Sequence, residues 1–348
     1  MPLAWEAELT AKERKQFETI YGDARTHEEI YGRMSKLVLA SKAPGTISGY
    51  TAAIDKWKSF ARRSGFREFP PRDQEFALYI TNMSETGATY SSLKLLRAAI
   101  PFYYNARNSS EVCIVKKPFI GLLLDGAMRI AAKQRGPVKK AKTFDENSVK
   151  SALIKIFWPT RSRNHPNRNL KEWRTGIRLY TYYFTLCRYD CFSKLTVDSF
   201  NFQDDHVVIT YTSRKNDQFY TGSTSVLKYR DQDMLCPGLV YQTFFKVMGF
   251  NEGTDILNCR LTMNGKKARP NTKLSYAQSL KDSKELLGQL GLEGVTEKSL
   301  KASGVTVLLD KETSITDVQV YGGWKSDKTP LYYHNASVSR RKAISEVL

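Results

Sequence analysis

The sequence predicts a mainly α-helical fold with a small antiparallel β-sheet, divided into two domains, and three observations predict it. Apolar and aromatic residues recur at three- and four-residue steps before residue 140, with no strand pattern there. Alternating β-branched and aromatic residues flank a polar turn between His206 and Leu227. A basic Gly-Pro stretch interrupts the helical pattern between these two regions. Residues 1–135 therefore read as a helical domain, 136–143 as a basic linker, and 144–348 as a second, mostly helical domain that carries the sheet.

The elements follow in order. Helices are expected near 11–21 and 26–40. From Thr46 to Arg63, Ile47, Tyr50, Ile54, Trp57 and Phe60 fall on one amphipathic face. Pro70 and Pro71 precede a helix from about Arg72 to Glu85 with Phe76, Leu78, Ile80 and Met83. A further helix runs from about Ser91 to Asn105, where Leu93, Leu96, Ala99, Ile100 and Tyr103 share a face, and the next spans about Phe119 to Lys133. Gly136 and Pro137 end it, and Lys139, Lys140 and Lys142 keep the linker solvated. Beyond it, helices at about 146–157 and 172–186 precede a hairpin of His206–Tyr211 and Gln218–Leu227 around the turn SRKND. Helices resume after about Pro237.

Composition narrows the function classes. Hydrophobic residues make up 41% of the 348, which is enough for sizeable cores and excludes disorder as the main state. No apolar run approaches the roughly 18 residues of a membrane-spanning helix, and MPLAWEAELTAKERK is too charged for a secretory signal. The five scattered cysteines do not resemble a disulfide framework and read as reduced thiols. An intracellular protein is expected, nuclear if the source is eukaryotic.

The net charge of +19 is local: residues 101–200 hold 19 basic and 7 acidic residues. Such a belt suits a polyanion. Two loop-like segments concentrate it, Lys133 to Lys142 and Pro159 to Arg168, so Lys139, Lys140, Lys142, Arg161, Arg163 and Arg168 are candidate DNA-binding residues.

Metal and nucleotide chemistry find few footholds. The four histidines are far apart, and no Walker loop or dinucleotide fingerprint occurs. Cys187 and Cys191, four apart on one expected helix, read as core residues. No cofactor and no metal are expected.

What remains is a set of motifs in chain order: Arg188 in TLCRYDCFSKLTVDSF, Lys215 in SRKNDQ, the helical start EKSLKASGVT, and GGWKSDKTPLYYHN. Taken singly, Arg188 reads as a capping or ion-pairing arginine, Lys215 as a turn lysine, and Trp324 as a core anchor. Their order resembles the tyrosine recombinase (phage integrase) family over nearly the whole chain, and most closely its crypton-like branch from eukaryotic mobile elements. The resemblance implies a SAM-like helical core-binding domain followed by an α+β catalytic domain. Arg188 occupies the place of the family's first, helix-borne arginine and Lys215 that of its hairpin lysine. Trp324 fits the "GRWKSD"-like motif, and Tyr332 and Tyr333 lie eight and nine residues after it. The spacing and the following HNASVSRRKAIS favour Tyr333 as nucleophile; the Tyr-x-His pattern would select Tyr332.

The implied reaction is a transesterification at a DNA phosphodiester, leaving a 3′-phosphotyrosine and a free 5′-hydroxyl without metal or nucleotide. Arginine suits the charge on the nonbridging oxygens, and a lysine can protonate the leaving oxygen. The chain departs from the family at His-x-x-Arg, which reads Lys298-Ser299-Leu300-Lys301, and at the acidic residue after the first arginine, where Cys191 stands beside Asp190. Lysine keeps the charge but not the planar fork of arginine. Two readings follow: a recombinase whose domains clamp duplex DNA, or a recombinase descendant that binds DNA without cutting it. A helical RNA-binding or scaffold protein is a third class, disfavoured because the aromatic strand motif of common RNA modules is missing. The resemblance also implies self-assembly on DNA through a C-terminal arm, Ser337 to Leu348.

Overall fold

The computed structural model describes residues 27–107, 111–137, 141–212, 222–334, 342, 345 and 346. Contacts divide the chain into two compact units, Met1–Val138 and Lys139–Leu348.

In the first unit the described residues form five α-helices, α1 (His27–Ala40), α2 (Pro44–Arg63), α3 (Asp73–Glu85), α4 (Tyr90–Ala106) and α5 (Pro118–Arg135), and one short 3-10 helix, Ile114–Lys116. The amphipathic faces of α2 to α5 meet around Trp57 of α2, whose ring sits 5.1 Å from that of Phe76 and 5.3 Å from that of Tyr79. Its indole N–H donates to the Glu68 carbonyl at 2.8 Å, so this buried polar atom is satisfied. Leu93, Leu96, Ile120 and Leu124 complete the core. The Thr89 hydroxyl caps α4 by accepting from the Ser92 amide. The helix expected near 11–21 lies outside the described residues.

The second unit is built on α7 (Leu170–Thr185), buried almost throughout its length. Around it pack α6 (Glu146–Phe157), α9 (Pro237–Met248), α10 (Tyr276–Gln289) and α11 (Glu297–Asp310). Short helices α8 (Tyr189–Phe192), α12 (Ile315–Tyr321) and α13 (Lys328–Tyr333) follow α7 and α11. Trp158, Trp173, Tyr180, Tyr241 and Phe244 fill the core, and the Tyr180 hydroxyl donates to the Leu235 carbonyl at 2.9 Å.

Two small antiparallel sheets complete the unit. In the first, β2 (His206–Tyr211) lies between β1 (Phe200–Phe202) and β3 (Ser223–Lys228). Val207, Ile209 and Tyr211 alternate inward, and Val207 pairs with Leu227. The hairpin expectation covers β2 and β3. The second sheet, β4 (Cys259–Leu261) with β5 (Ala268–Lys273), stands where the sequence suggested only helices. Its strands carry Pro270 and a run of exposed cations, so no alternating apolar pattern betrays them.

One expectation is overturned. Cys187 and Cys191 do not share a helix: α7 ends at Thr185, Leu186 is left-handed at φ +53°, and only Cys191 lies in α8. Both are buried, and all five cysteines are free thiols.

Candidate active site

The end of α7 sets the first wall of the site. Leu186 adopts a conformation that costs a non-glycine residue about 1–3 kcal/mol. Its fully buried side chain offsets that cost by packing with Val305, Val318 and Trp324. The reversal turns the chain so that Arg188 becomes the N-cap residue of α8 instead of riding within a helix. Its half-buried side chain has no hydrogen-bond or ion-pair partner among the described residues.

The second wall is α11. Gly304 lets this helix press against α7, because a Cβ there would fall 2.6 Å from the Tyr183 carbonyl oxygen. Lys298, in the first turn, is exposed, whereas Lys301, one turn deeper, is only 4% exposed. The Lys301 ammonium lies 4.5 Å from the centroid of the Trp324 ring and 5.4 Å from that of Tyr333. Desolvated cation–π contacts of this kind contribute about 2 kcal/mol.

Those two rings stack, with centroids 5.8 Å apart and planes 20° from parallel. Gly322 clears their space, since a Cβ there would lie 2.4 Å from the Trp324 ring. The Trp324 indole N–H is buried without a hydrogen-bond partner among the described residues. The Tyr333 hydroxyl also lacks a hydrogen bond among the described residues. Tyr332 is 66% exposed and meets Tyr333 edge-on at 5.6 Å. Next in the chain, His334 Nε2 lies 3.2 Å from an Asp310 carboxylate oxygen.

Arg188, Lys298, Lys301 and Tyr333 line one cleft of about 750 Å³; Tyr332 and Trp324 do not line it. Lys284 adds a fourth cation, and the acidic residues on the walls are Asp190 and Glu297. Both are engaged: Asp190 pairs with Lys194 at 3.1 Å, and Glu297 with Arg178 at 3.0 Å. The cleft therefore presents a cationic surface suited to an anion.

Behind it lies a buried polar network that the sequence motifs did not signal. Arg178, fully buried on α7, donates to Glu297 Oε1 at 3.0 Å, Asn258 Oδ1 at 3.0 Å, the Ser279 carbonyl at 2.6 Å and Ser283 Oγ at 2.8 Å. One turn earlier, Arg174 donates to Asp282 at 2.6 Å and to the Cys259 carbonyl at 3.0 Å. Burial pulls the Arg174 pKa down, and Asp282 opposes that pull. The Tyr182 hydroxyl, on another wall of the cleft, is buried without a hydrogen bond among the described residues, and burial pushes its pKa well up. Two arginines four apart inside an aromatic helix are the one sequence signal that could have found the network.

The remaining sequence candidates lie elsewhere. Arg161, Arg163 and Arg168 lie on the loop between α6 and α7, and Lys142 reaches over the Phe144 ring. None of the four lines the cleft. Lys139, Lys140 and Lys215 are outside the described residues, as is the expected C-terminal arm except for residues 342, 345 and 346. No helix among the described residues is long and apolar enough to cross a membrane.

No protein-family model and no curated protein sequence matches the chain. Solved structures do match its fold. The XerH site-specific recombinase, bound to palindromic difH substrate in a post-cleavage complex, aligns with a TM-score of 0.58 at 16% identity, covering 86% of this chain and 78% of that one. A lambda integrase dimer bound to a COC′ core site aligns with a TM-score of 0.51 at 14% identity, covering 93% of this chain and 85% of that one. The fold is thus mainly helical with small antiparallel sheets, as in tyrosine recombinases.

Proposed function

We propose that this chain is a DNA-binding tyrosine recombinase that cuts and rejoins a strand through a 3′-phosphotyrosine on Tyr333. One observation carries the reading: Arg188, Lys298, Lys301 and Tyr333 converge on one cationic cleft whose acidic residues are already paired. The XerH recombinase is bound to its difH substrate and the lambda integrase to a core site, which adds support for DNA as the partner.

In this reading the phosphodiester lies against Arg188, whose unpaired guanidinium is available to two of its oxygens. The Tyr333 oxygen bonds to phosphorus as the bond to the 5′ oxygen breaks. The phenol loses one proton and the leaving oxygen gains one, supplied by a lysine in the role proposed for Lys215, so no external reactant is consumed. Lys301 and Lys298 supply positive charge near the nonbridging oxygens, and Trp324 buttresses Tyr333. Lys139, Lys140, Lys142, Arg161, Arg163 and Arg168 contact the duplex backbone, and the arm 337–348 joins copies of the chain on DNA.

The test is a nicked duplex carrying the true site, which traps the cleaved state. A covalent adduct is expected with the wild type and with Tyr332→Phe, and none with Tyr333→Phe. An adduct that persists in Tyr333→Phe overturns the assignment.

A second reading is favoured by one observation. The Lys301 ammonium is held beneath two aromatic rings and offers no planar fork, so the site binds a phosphate but does not cut it. Losing a preorganised donor typically lowers a rate about 100- to 1000-fold. An inert wild type that gains cleavage on Lys298→His with Lys301→Arg supports this reading; a wild type that already cleaves rejects it. The crypton-like assignment rests on the sequence after Tyr333, and inverted or direct repeats flanking the gene would support it.

A further inference from the structure

The β4–β5 hairpin is a charged surface that the cleft does not use. From Cys259 to Lys273 the sequence CRLTMNGKKARPNTK holds five basic residues and no acidic one. These are Arg260, Lys266, Lys267, Arg269 and Lys273, and none has an ion-pair or hydrogen-bond partner for its side chain among the described residues. Arg260 stands directly opposite Arg269 across the ladder. Like charges so placed destabilise a two-stranded sheet unless an anion lies between or beside them.

The turn holds this charge on a defined backbone. The Thr262 amide donates to the Lys267 carbonyl at 2.9 Å, and the Lys267 amide to the Thr262 hydroxyl at 3.1 Å. The Lys266 amide donates to Asn264 Oδ1 at 3.1 Å, and Gly265 takes the left-handed conformation at φ +68°. Met263 stands fully exposed at the tip. The base of the hairpin is tied to the wall of the cleft: Asn258, just before β4, accepts from Arg178, and the Leu274 carbonyl, just after β5, accepts from the Tyr189 hydroxyl at 3.0 Å. Beside it runs a groove of about 480 Å³ lined by Lys171, Arg174, Arg260, Thr262, Gln278 and Asp282, whose carboxylate pairs with Arg174 at 2.6 Å.

We infer that this hairpin is a second DNA-contacting element, which grips the phosphate backbone of duplex bound at the cleft. Arg260, Arg269 and Lys273 form its strand face, and Lys266 and Lys267 its tip. The inference rests on the DNA-binding reading above. The occupant is a polyanion because a ladder of unpaired like charges, with no acidic residue in its own sequence and beside a groove whose one carboxylate, Asp282, is taken up by Arg174, is complementary to regularly spaced phosphates, and it is duplex because the same element is anchored to the cleft wall. Its contacts carry no base sequence.

The experiment is a titration of the full-length chain with labelled duplexes over a range of salt concentrations. The variants combine Lys266→Gln, Lys267→Gln and Arg269→Gln, with Lys266→Arg and Lys267→Arg as a charge-retaining control. The triple variant is expected to bind about tenfold or more weakly on every duplex sequence. The slope of log affinity against log salt should fall by about 0.9 for each phosphate that is no longer neutralised, while the control keeps both affinity and slope. Wild-type affinity and slope in the triple variant, or weaker binding with an unchanged slope, overturns the hairpin's role and leaves the DNA-binding reading standing. A wild type with no salt-dependent duplex binding, or one that prefers single-stranded RNA, overturns both.

Discussion

Lys301 occupies the position where the family resemblance expects an arginine, and its surroundings explain how a lysine is held there. Its stem enters a nearly closed space and its ammonium rests on the faces of Trp324 and Tyr333, where a flexible point charge fits. Arg188 is the opposite case, because its guanidinium has no hydrogen-bond or ion-pair partner among the described residues. Arg188→Ala is therefore expected to leave stability within about 0.5 kcal/mol while abolishing adduct formation, as read by thermal melting beside the trapping assay. Arg178→Ala should do the reverse in kind: it strands Glu297 in the interior and costs about 3–5 kcal/mol, seen as a large fall in Tm. Sequence motifs made Arg188, Lys301, Trp324 and the tyrosine pair legible. They favoured Tyr333 through the spacing and the following HNASVSRRKAIS and left Tyr332 open through the Tyr-x-His pattern; of the two, only Tyr333 lines the cleft. Arg178 and Glu297, 119 positions apart, were illegible because their pairing is purely tertiary.

At the scale of elements, two glycines set how the walls of the cleft meet. Gly304→Val should push α11 off the Tyr183 carbonyl and destabilise the second unit by about 1–3 kcal/mol, measurable by chemical denaturation. Unchanged stability would show that α11 and α7 do not need this close approach. Helices α2 to α6 were readable because each buries one apolar stripe against its neighbours. The end of α7 was not, because a left-handed leucine has no propensity signal; its conformation is stabilised by Val305, Val318 and Trp324 from later in the chain. The β4–β5 ladder escaped for a related reason, since its three-residue strand and lysine-bearing partner lack an alternating core face.

For the whole molecule, the +19 divides by use more than by position in the chain. Arg174 and Arg178 belong to the basic middle of the sequence, yet they are buried and neutralise internal carboxylates. The last 148 residues carry 20 basic and 16 acidic residues, an average that conceals the uncompensated hairpin at 259–273. Both units also hold buried neutral acids. Burial pushes the Cys259 thiol up to about 11 and the Tyr79 hydroxyl up to about 12. Each is kept protonated by folding, so its contribution is complete below its ordinary pKa and is lost as pH climbs through these raised values. Melting temperature should therefore fall progressively in alkali from about pH 9 upward, and Cys259→Ser should reduce the part of that fall belonging to the second unit. The central claim is that Tyr333, held between Trp324, Lys301 and the cleft, is the residue that bonds to DNA. Its most direct test is proteolysis of the trapped protein–DNA adduct and mass identification of the nucleotide-bearing peptide. A 3′-phosphate linked to Tyr333 is the expected result; a link to Tyr332 or to any other residue would contradict the claim.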